Sequence, residues 1–292
     1  MKKFRVLWMI GAIVLLFLQA CVKDEVIENT STIRPGSQQI FTTTLFGTVI
    51  DAQDNPIQNA KVVYHSAGQA QNSETDEFGN FYFEDVQNRG PSAFITVEYP
   101  GKFEAFRRFG VLEDRYNRTI VKMLDKEIIG QISAEQGGKV SHNNGASVEL
   151  PANGIIDAQG NLYNGIVEVA LAWVDPSADD LAERMIGDLS GIDRDGNNRS
   201  LITYGMLQVE LFDVSGQELN LAEGMEAELS FPVPADMRSN AKDEAPLWIY
   251  EEDLGTWIEE GIAKYENGKY VGKVPHFSSF NIDFKGEVIE IT

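Results

Sequence analysis

From Thr42 onward the apolar positions come in short runs, rich in β-branched and aromatic side chains, that break every few residues. Thr42–Ile50, Lys61–His65, Phe81–Phe83, Phe94–Tyr99, Phe103–Phe109 and Thr119–Leu124 have the length and composition of strands. Turn formers stand between them: Asp54-Asn55-Pro56, Asp76-Glu77-Phe78-Gly79-Asn80 and Pro100-Gly101. Strands at this spacing, with no helical period among them, predict a sandwich over residues 42–125. The pattern continues through 126–284. There Val167, Val169, Leu171 and Trp173 share one face of a strand, with Glu168 on the other. Met206–Phe212, Glu226–Val233, Leu247–Tyr250, Tyr270–Val274 and Phe280–Phe284 repeat the signature. Gly137-Gly138, Pro151-Ala152-Asn153-Gly154 and Asp213-Val214-Ser215-Gly216 mark turns. Only Ala178–Ile186 reads as a helix, with Ser177 placed to cap it. The expected fold is all-β, two tandem β-sandwich domains, with residues 285–292 as a C-terminal tail.

The first forty residues follow a different pattern. Lys2, Lys3 and Arg5 precede an almost unbroken apolar run from Val6 to Leu18, closed by Leu18-Gln19-Ala20-Cys21. A charged start, an apolar centre and a small residue before a cut are the parts of a secretory signal. The run is too short to span a bilayer comfortably as a permanent helix. Its last four residues resemble the lipobox of bacterial lipoproteins. That resemblance implies removal of residues 1–20 and lipidation of Cys21 by palmitate-type chains. Cys21 is the sole cysteine, so no intrachain disulfide is expected. Residues 21–41, polar and carrying Pro35-Gly36-Ser37, read as a flexible tether reaching on the order of 25 Å. Val22-Lys23-Asp24-Glu25 is similar to the signal that sends lipoproteins outward in some Gram-negative bacteria. The expected location is the outer membrane, lipid-anchored and exposed at the cell surface.

Charge narrows the partners. The chain holds 45 acidic and 24 basic residues, a formal net charge of -21. Loss of the signal would remove three basic residues and no acid, which deepens the imbalance. A surface this acidic repels nucleic acid, so the expected partners are the membrane, through the lipid, and a protein or extracellular ligand.

Two resemblances sharpen the expectation. Gly47-Thr48-Val49-Ile50-Asp51, then Asn55-Pro56-Ile57-Gln58-Asn59-Ala60-Lys61-Val62, then Thr75-Asp76-Glu77-Phe78-Gly79-Asn80-Phe81 resembles the carboxypeptidase regulatory-like domain. This implies a transthyretin-like sandwich over about 42–125, acting as an accessory or adhesion spacer and not as a peptidase. Farther on, Val148-Glu149-Leu150-Pro151-Ala152-Asn153, Tyr204-Gly205-Met206, Pro246-Leu247-Trp248-Ile249-Tyr250, Trp257-Ile258-Glu259-Glu260-Gly261 and His276-Phe277-Ser278 follow in order. That order is similar to extracellular domains related to cartilage intermediate layer protein and, more distantly, to the domain of zona-occludens and netrin-receptor proteins. The similarity implies a β-sandwich of the kind used in adhesion, scaffold and receptor proteins.

Candidate chemistry is sparse. The only histidines are His65, His142 and His276. There is no His-Glu-x-x-His zinc helix, no Gly-x-Ser-x-Gly elbow and no phosphate-binding glycine loop. Gly187-Asp188-Leu189-Ser190-Gly191 carries its serine one place late. A non-enzyme without cofactor is expected. In some relatives with His-Phe-Ser the serine hydroxyl attacks the preceding carbonyl and the chain splits. Here that would use His276 as base and cut between Phe277 and Ser278; the alternative makes them ordinary parts of a closing strand. Acids crowd one segment at Asp175, Asp179, Asp180, Glu183, Asp188, Asp193 and Asp195. Asp193 and Asp195 are its metal candidates, although glycine stands fourth in Asp193–Asn198 and not sixth as a helix-loop-helix calcium site requires. A plain hairpin competes. Trp248, Tyr250 and Trp257 could form a ligand platform, but Trp248 and Tyr250 share a strand face and are expected to pack inward. The functional expectation is a non-catalytic, lipid-anchored envelope protein for cell-surface binding, adhesion or scaffolding, with loops 175–204 and 234–246 offered to a partner. The alternatives are an accessory subunit of an outer-membrane transport or secretion complex, or a self-cleaving domain.

Overall fold

The computed structural model describes residues 40–66, 69–111 and 115–288. Cys21, the signal segment and most of the tether lie outside them. As the patterning predicts, the regular secondary structure of the described residues is almost wholly strand.

Seven strands build the N-terminal unit: β1 (Phe41–Ile50), β2 (Lys61–Ser66), β3 (Gln69–Glu74), β4 (Asn80–Asn88), β5 (Ser92–Glu98), β6 (Ala105–Gly110) and β7 (Tyr116–Lys122). They pair as two sheets, β4-β1-β7 and β3-β2-β5-β6. β1 lies antiparallel to β4 and parallel to β7. Alternate residues of facing strands turn inward, and Leu45, Val49, Val62, Phe81, Phe83, Ile95 and Val97 fill one buried core. Tyr64 joins them and keeps its hydroxyl bonded, donating to Asn88 Oδ1 at 2.8 Å. β3 escapes the sequence reading because Gln69-Ala70-Gln71-Asn72-Ser73-Glu74 has no apolar alternation. It sits at a sheet edge, where such a face has little to bury.

The C-terminal unit is one hydrogen-bonded sheet of 13 strands. These are β8 (Ile128–Ser133), β9 (Gly138–Ser141), β10 (Ser147–Leu150), β11 (Ile155–Asp157), β12 (Ile166–Val174), β13 (Ser190–Ile192), β14 (Asn198–Asp213), β15 (Glu218–Leu221), β16 (Ala227–Pro232), β17 (Glu244–Glu251), β18 (Thr256–Glu266), β19 (Lys269–Val274) and β20 (Ser279–Val288). The main path runs β11-β15-β14-β20-β17-β18-β19-β16-β10-β9, with β12 on β14 and β8 on β12. β8, at the end of the β12 branch, packs against β9, at one end of the main path. A Cβ on Gly130 of β8 would stand 2.7 Å from Val140 Cγ1 of β9, so glycine suits that close approach. Ile132, Val148, Val169, Leu211, Leu229, Leu247, Tyr270 and Phe280, from eight strands, share the enclosed core.

Two sequence expectations need correction. The helix shrinks to one turn, α1 (Leu181–Arg184), with no side-chain cap. Ser177 donates both its hydroxyl and its N–H to Asp175 Oδ1, at 2.7 and 2.9 Å, closing a local turn instead of starting a helix. Lys285–Val288, read as the start of a tail, continue β20 because they pair with Arg199 and Leu201 of β14.

One turn recurs through both units. Asp51, Asp76, Asp157, Asp193 and Asp213 each accept the N–H groups of the residues two and four places on, at 2.8–3.0 Å. The residue three places on is left-handed in every copy: Asp54, Gly79, Gly160, Gly196 and Gly216. Asn or Gln ends each copy. The carboxylate takes the place of a backbone acceptor and locks the hairpin.

Candidate functional site

A third buried cluster lies where the two units meet. Phe103, Phe106 and Leu124 come from the N-terminal side. Ala170, Val174, Met185, Ile186, Leu201, Met206, Trp248, Tyr250 and Trp257 come from the other. Phe106 and Tyr250 have ring centroids 5.0 Å apart, and Tyr250 and Trp257 stand edge-to-face at 5.1 Å. Both indoles are bonded as well as buried. Trp248 Nε1 donates to the Asp283 carbonyl and Trp257 Nε1 to that of Ile186, each at 3.1 Å. The expected inward packing of Trp248 and Tyr250 is therefore met, and the three rings offer no exposed platform.

Polar contacts latch the same seam. The Arg107 guanidinium, on β6 and nearly enclosed, donates to the carbonyls of Glu183 (2.7 Å) and Gly187 (3.5 Å). Gly187 N–H returns a bond to the Phe106 carbonyl at 2.8 Å. Gly187 has φ +65, and a Cβ there would press on the Tyr250 ring at 2.6 Å, so the latch needs glycine. Lys122, 4% exposed, meets Asp180 at 2.7 Å, and Lys126 meets Glu210 at 2.7 Å. Much of the segment 175–204, expected to face a partner, is thus spent on the N-terminal unit.

Beside the seam opens a cleft of about 290 Å³, lined among others by Glu104, Lys126, Gln208, Glu210, Glu218, Glu252 and Ser278. Burial, then the neighbouring Glu252, Glu98 and Glu210 charges, push the Glu104 carboxyl up to about 7. Burial also raises Glu210 and Glu252. Carboxylates from both units thus face one another here, with Lys126 bonded to one of them. No feature of the sequence spacing places Glu104 near Glu210 and Glu252, since only the packing of the two units brings them into one cleft.

The residues singled out from sequence are scattered. Ser278 donates its hydroxyl to the Tyr250 carbonyl at 3.4 Å, while the His276 ring reaches Glu260, with Nε2 3.8 Å from its carboxylate. The Ser278 carbonyl accepts from Val209 N–H at 3.3 Å and Phe277 N–H donates to Asn220 Oδ1 at 3.4 Å. His276 and Ser278 are therefore turned to different partners. Asp193 caps its hairpin and also binds Arg199 Nε at 2.7 Å, and that guanidinium is the chief cause holding its carboxyl down to about 2. Asp195 only lends its N–H to the same turn. Among the described residues no group of three or more His, Cys, Asp or Glu is arranged to hold a metal ion. Ser190 Oγ bonds its neighbour Asp188 at 2.5 Å. His65 stacks on Phe94 with centroids 4.5 Å apart, and His142 lies in the β9–β10 turn.

No family model matches the chain. Human cartilage intermediate layer protein 1 is 30% identical over 123 residues, which is 42% of this chain and 10% of that protein. Mouse cartilage intermediate layer protein 2 is 30% identical over 159 residues, 51% of this chain and 13% of that protein. Among solved structures, a DUF3823 family protein from Parabacteroides merdae is 8% identical, covering 82% of this chain and 98% of its own, at a TM-score of 0.23. The chain spans about a tenth of the length of the cartilage proteins it matches. In sequence, what it resembles is a stretch of the cartilage intermediate layer proteins, over roughly half of its own length or less.

Proposed function

We propose that this chain is a non-catalytic, lipid-anchored protein of the bacterial outer membrane, held at Cys21, whose β units serve at the cell surface as a single binding or scaffolding body. The seam carries this reading. Its largest aromatic side chains join two units into one piece, and the residues that sequence offered for catalysis or metal are engaged in hairpins, strands and latches. A device that presents a surface needs rigidity between its modules; the seam supplies it.

Changing Cys21→Ala tests the anchor. The wild-type chain should fractionate with outer membranes and show a mature mass that includes acyl chains and no break at Phe277-Ser278. The variant should lose both the acyl mass and the membrane association. Recovery of the variant in the outer membrane, with unchanged mass, contradicts the reading.

A further inference from the structure

The outer face of the sheet β4-β1-β7 departs from the rest of the surface. Register places Tyr82 of β4 and Arg118 of β7 on either side of Phe46, and Tyr116 of β7 beside Thr44. Phe46 and Thr44 point away from the core that Leu45 and Val49 enter, so these side chains share the outward face. Tyr116 is 78% exposed and Tyr82 47%. Two large rings left open on one small sheet mark a surface that meets something.

Next to them the strand is broken on purpose. The β1–β4 pairing slips between Thr43 and Leu45, and Asp85 opposite takes φ 49, a left-handed value inside a strand. Asp85 N–H is fixed by the Thr44 hydroxyl at 3.3 Å, and Thr43 Oγ1 is held by Asn117 Nδ2 at 2.6 Å. Bulges of this kind redirect a side chain, and strain of this kind gathers where a ligand is held. The bulge floors an open cleft of about 220 Å³ lined by Thr42, Thr43, Thr44, Asp85, Arg115 and Tyr116. Among the described residues no ion pair takes Asp85 or Arg115.

We propose that this cleft binds a neutral oligosaccharide, with Tyr116 and Tyr82 stacking on sugar rings while Asp85 and Arg115 bond neighbouring hydroxyls. The lining fits that class. One carboxylate and one guanidinium in the same lining offer an acceptor and donors together, which suits the hydroxyls of a sugar and leaves no net charge to attract an ion. Exposed tyrosines give flat apolar area with a polar tip. The cleft lining has no aliphatic side chain, so it lacks the apolar pocket that anchors a protein hot spot. This inference deepens the surface-binding reading, on which it rests for its biological sense, but its chemistry is tested apart from it.

The test uses the full chain in detergent micelles, with gluco-, xylo- and mannohexaose as probes, followed by saturation-transfer NMR and calorimetry. At least one hexasaccharide should bind saturably. Tyr116→Ala and Asp85→Asn should each weaken it about tenfold or more, a loss in the range expected for one stacking or charge-assisted contact. Asn tolerates the left-handed backbone at position 85, so that variant keeps the bulge. Leu254→Ala, at an exposed position of the C-terminal unit, should bind as the wild type does. Absence of saturable binding by all three sugars overturns the proposal, as does binding that neither cleft variant weakens. So does preference for a proline-rich decapeptide over every sugar. None of these results bears on anchoring at Cys21, which stands or falls by fractionation.

Discussion

Asp283 sits where a carboxylate is least welcome. It is fully buried on β20, and among the described residues neither of its carboxyl oxygens, nor the amide nitrogen of Asn281 two places before it, has a hydrogen-bond partner. Burial pushes its pKa up to about 8. The folded chain therefore keeps a proton that the unfolded chain releases above about 4. By linkage, the stability this group contributes is full at acid pH and is lost as pH rises toward 8. Between pH 5 and 8 the wild-type Tm should fall, and in Asp283→Asn that decline should be clearly shallower. Thermal unfolding across this range checks it. Equal slopes for both proteins would mean that the acid is hydrated. The range avoids the five turn aspartates, whose lowered pKa values stabilise the fold above about pH 4 and lose that effect only as pH falls below it.

At the scale of elements, the repeated Asp-capped turn explains both what sequence shows and what it conceals. Asp193-Arg194-Asp195-Gly196-Asn197 reads as a cation loop when taken alone. Beside Asp76–Asn80 and Asp157–Asn161 it becomes one copy of a hairpin lock, because the spacing from acid to glycine to amide is the same. Asp193→Ala should lower Tm by more than Asp195→Ala, since only the first removes the N–H acceptor and the Arg199 partner. Added calcium should leave the Tm of the wild type unchanged; a calcium-dependent rise would restore the metal reading. Most strands were legible because apolar alternation is a local signal tied to one buried face. β3 was not, as its polar edge sequence carries no such alternation, and neither were β8, β18 and the three- and four-residue strands β9, β10, β11, β13 and β15. The helix was overread because Leu181, Met185 and Ile186 have helical spacing. Met185 and Ile186 are buried through the seam, where packing on Phe103 and Phe106 replaces helix periodicity as the cause of their burial.

At the scale of the whole molecule, the seam decides how the chain behaves. A spacer followed by a binding domain would unfold in two steps and flex between them. The shared cluster around Trp248, Tyr250 and Trp257 argues for one cooperative body. Trp257→Ala removes a fully buried ring from that cluster and should cost about 3–5 kcal/mol in urea unfolding. It should also split a single transition into two. Two separate transitions already in the wild type, or a loss below about 1 kcal/mol in the variant, would show that the units do not depend on each other. Sequence disclosed each ring as apolar and strand-borne but could not reveal that the apolar surface of one unit is completed by the other. That depends on contacts such as Arg107 with Glu183, more than seventy positions apart.

The most direct test of a single body displayed at the cell surface is proteinase K treatment of intact cells, with a periplasmic protein as control and mass spectrometry of what is released. The account predicts cleavage within residues 22–39 while the control survives, and release of one resistant fragment beginning near Ile40 and running past Phe280. Protection until the outer membrane is broken would contradict the surface placement. Release in two pieces, cut between Lys122 and Ile128, would contradict the single body.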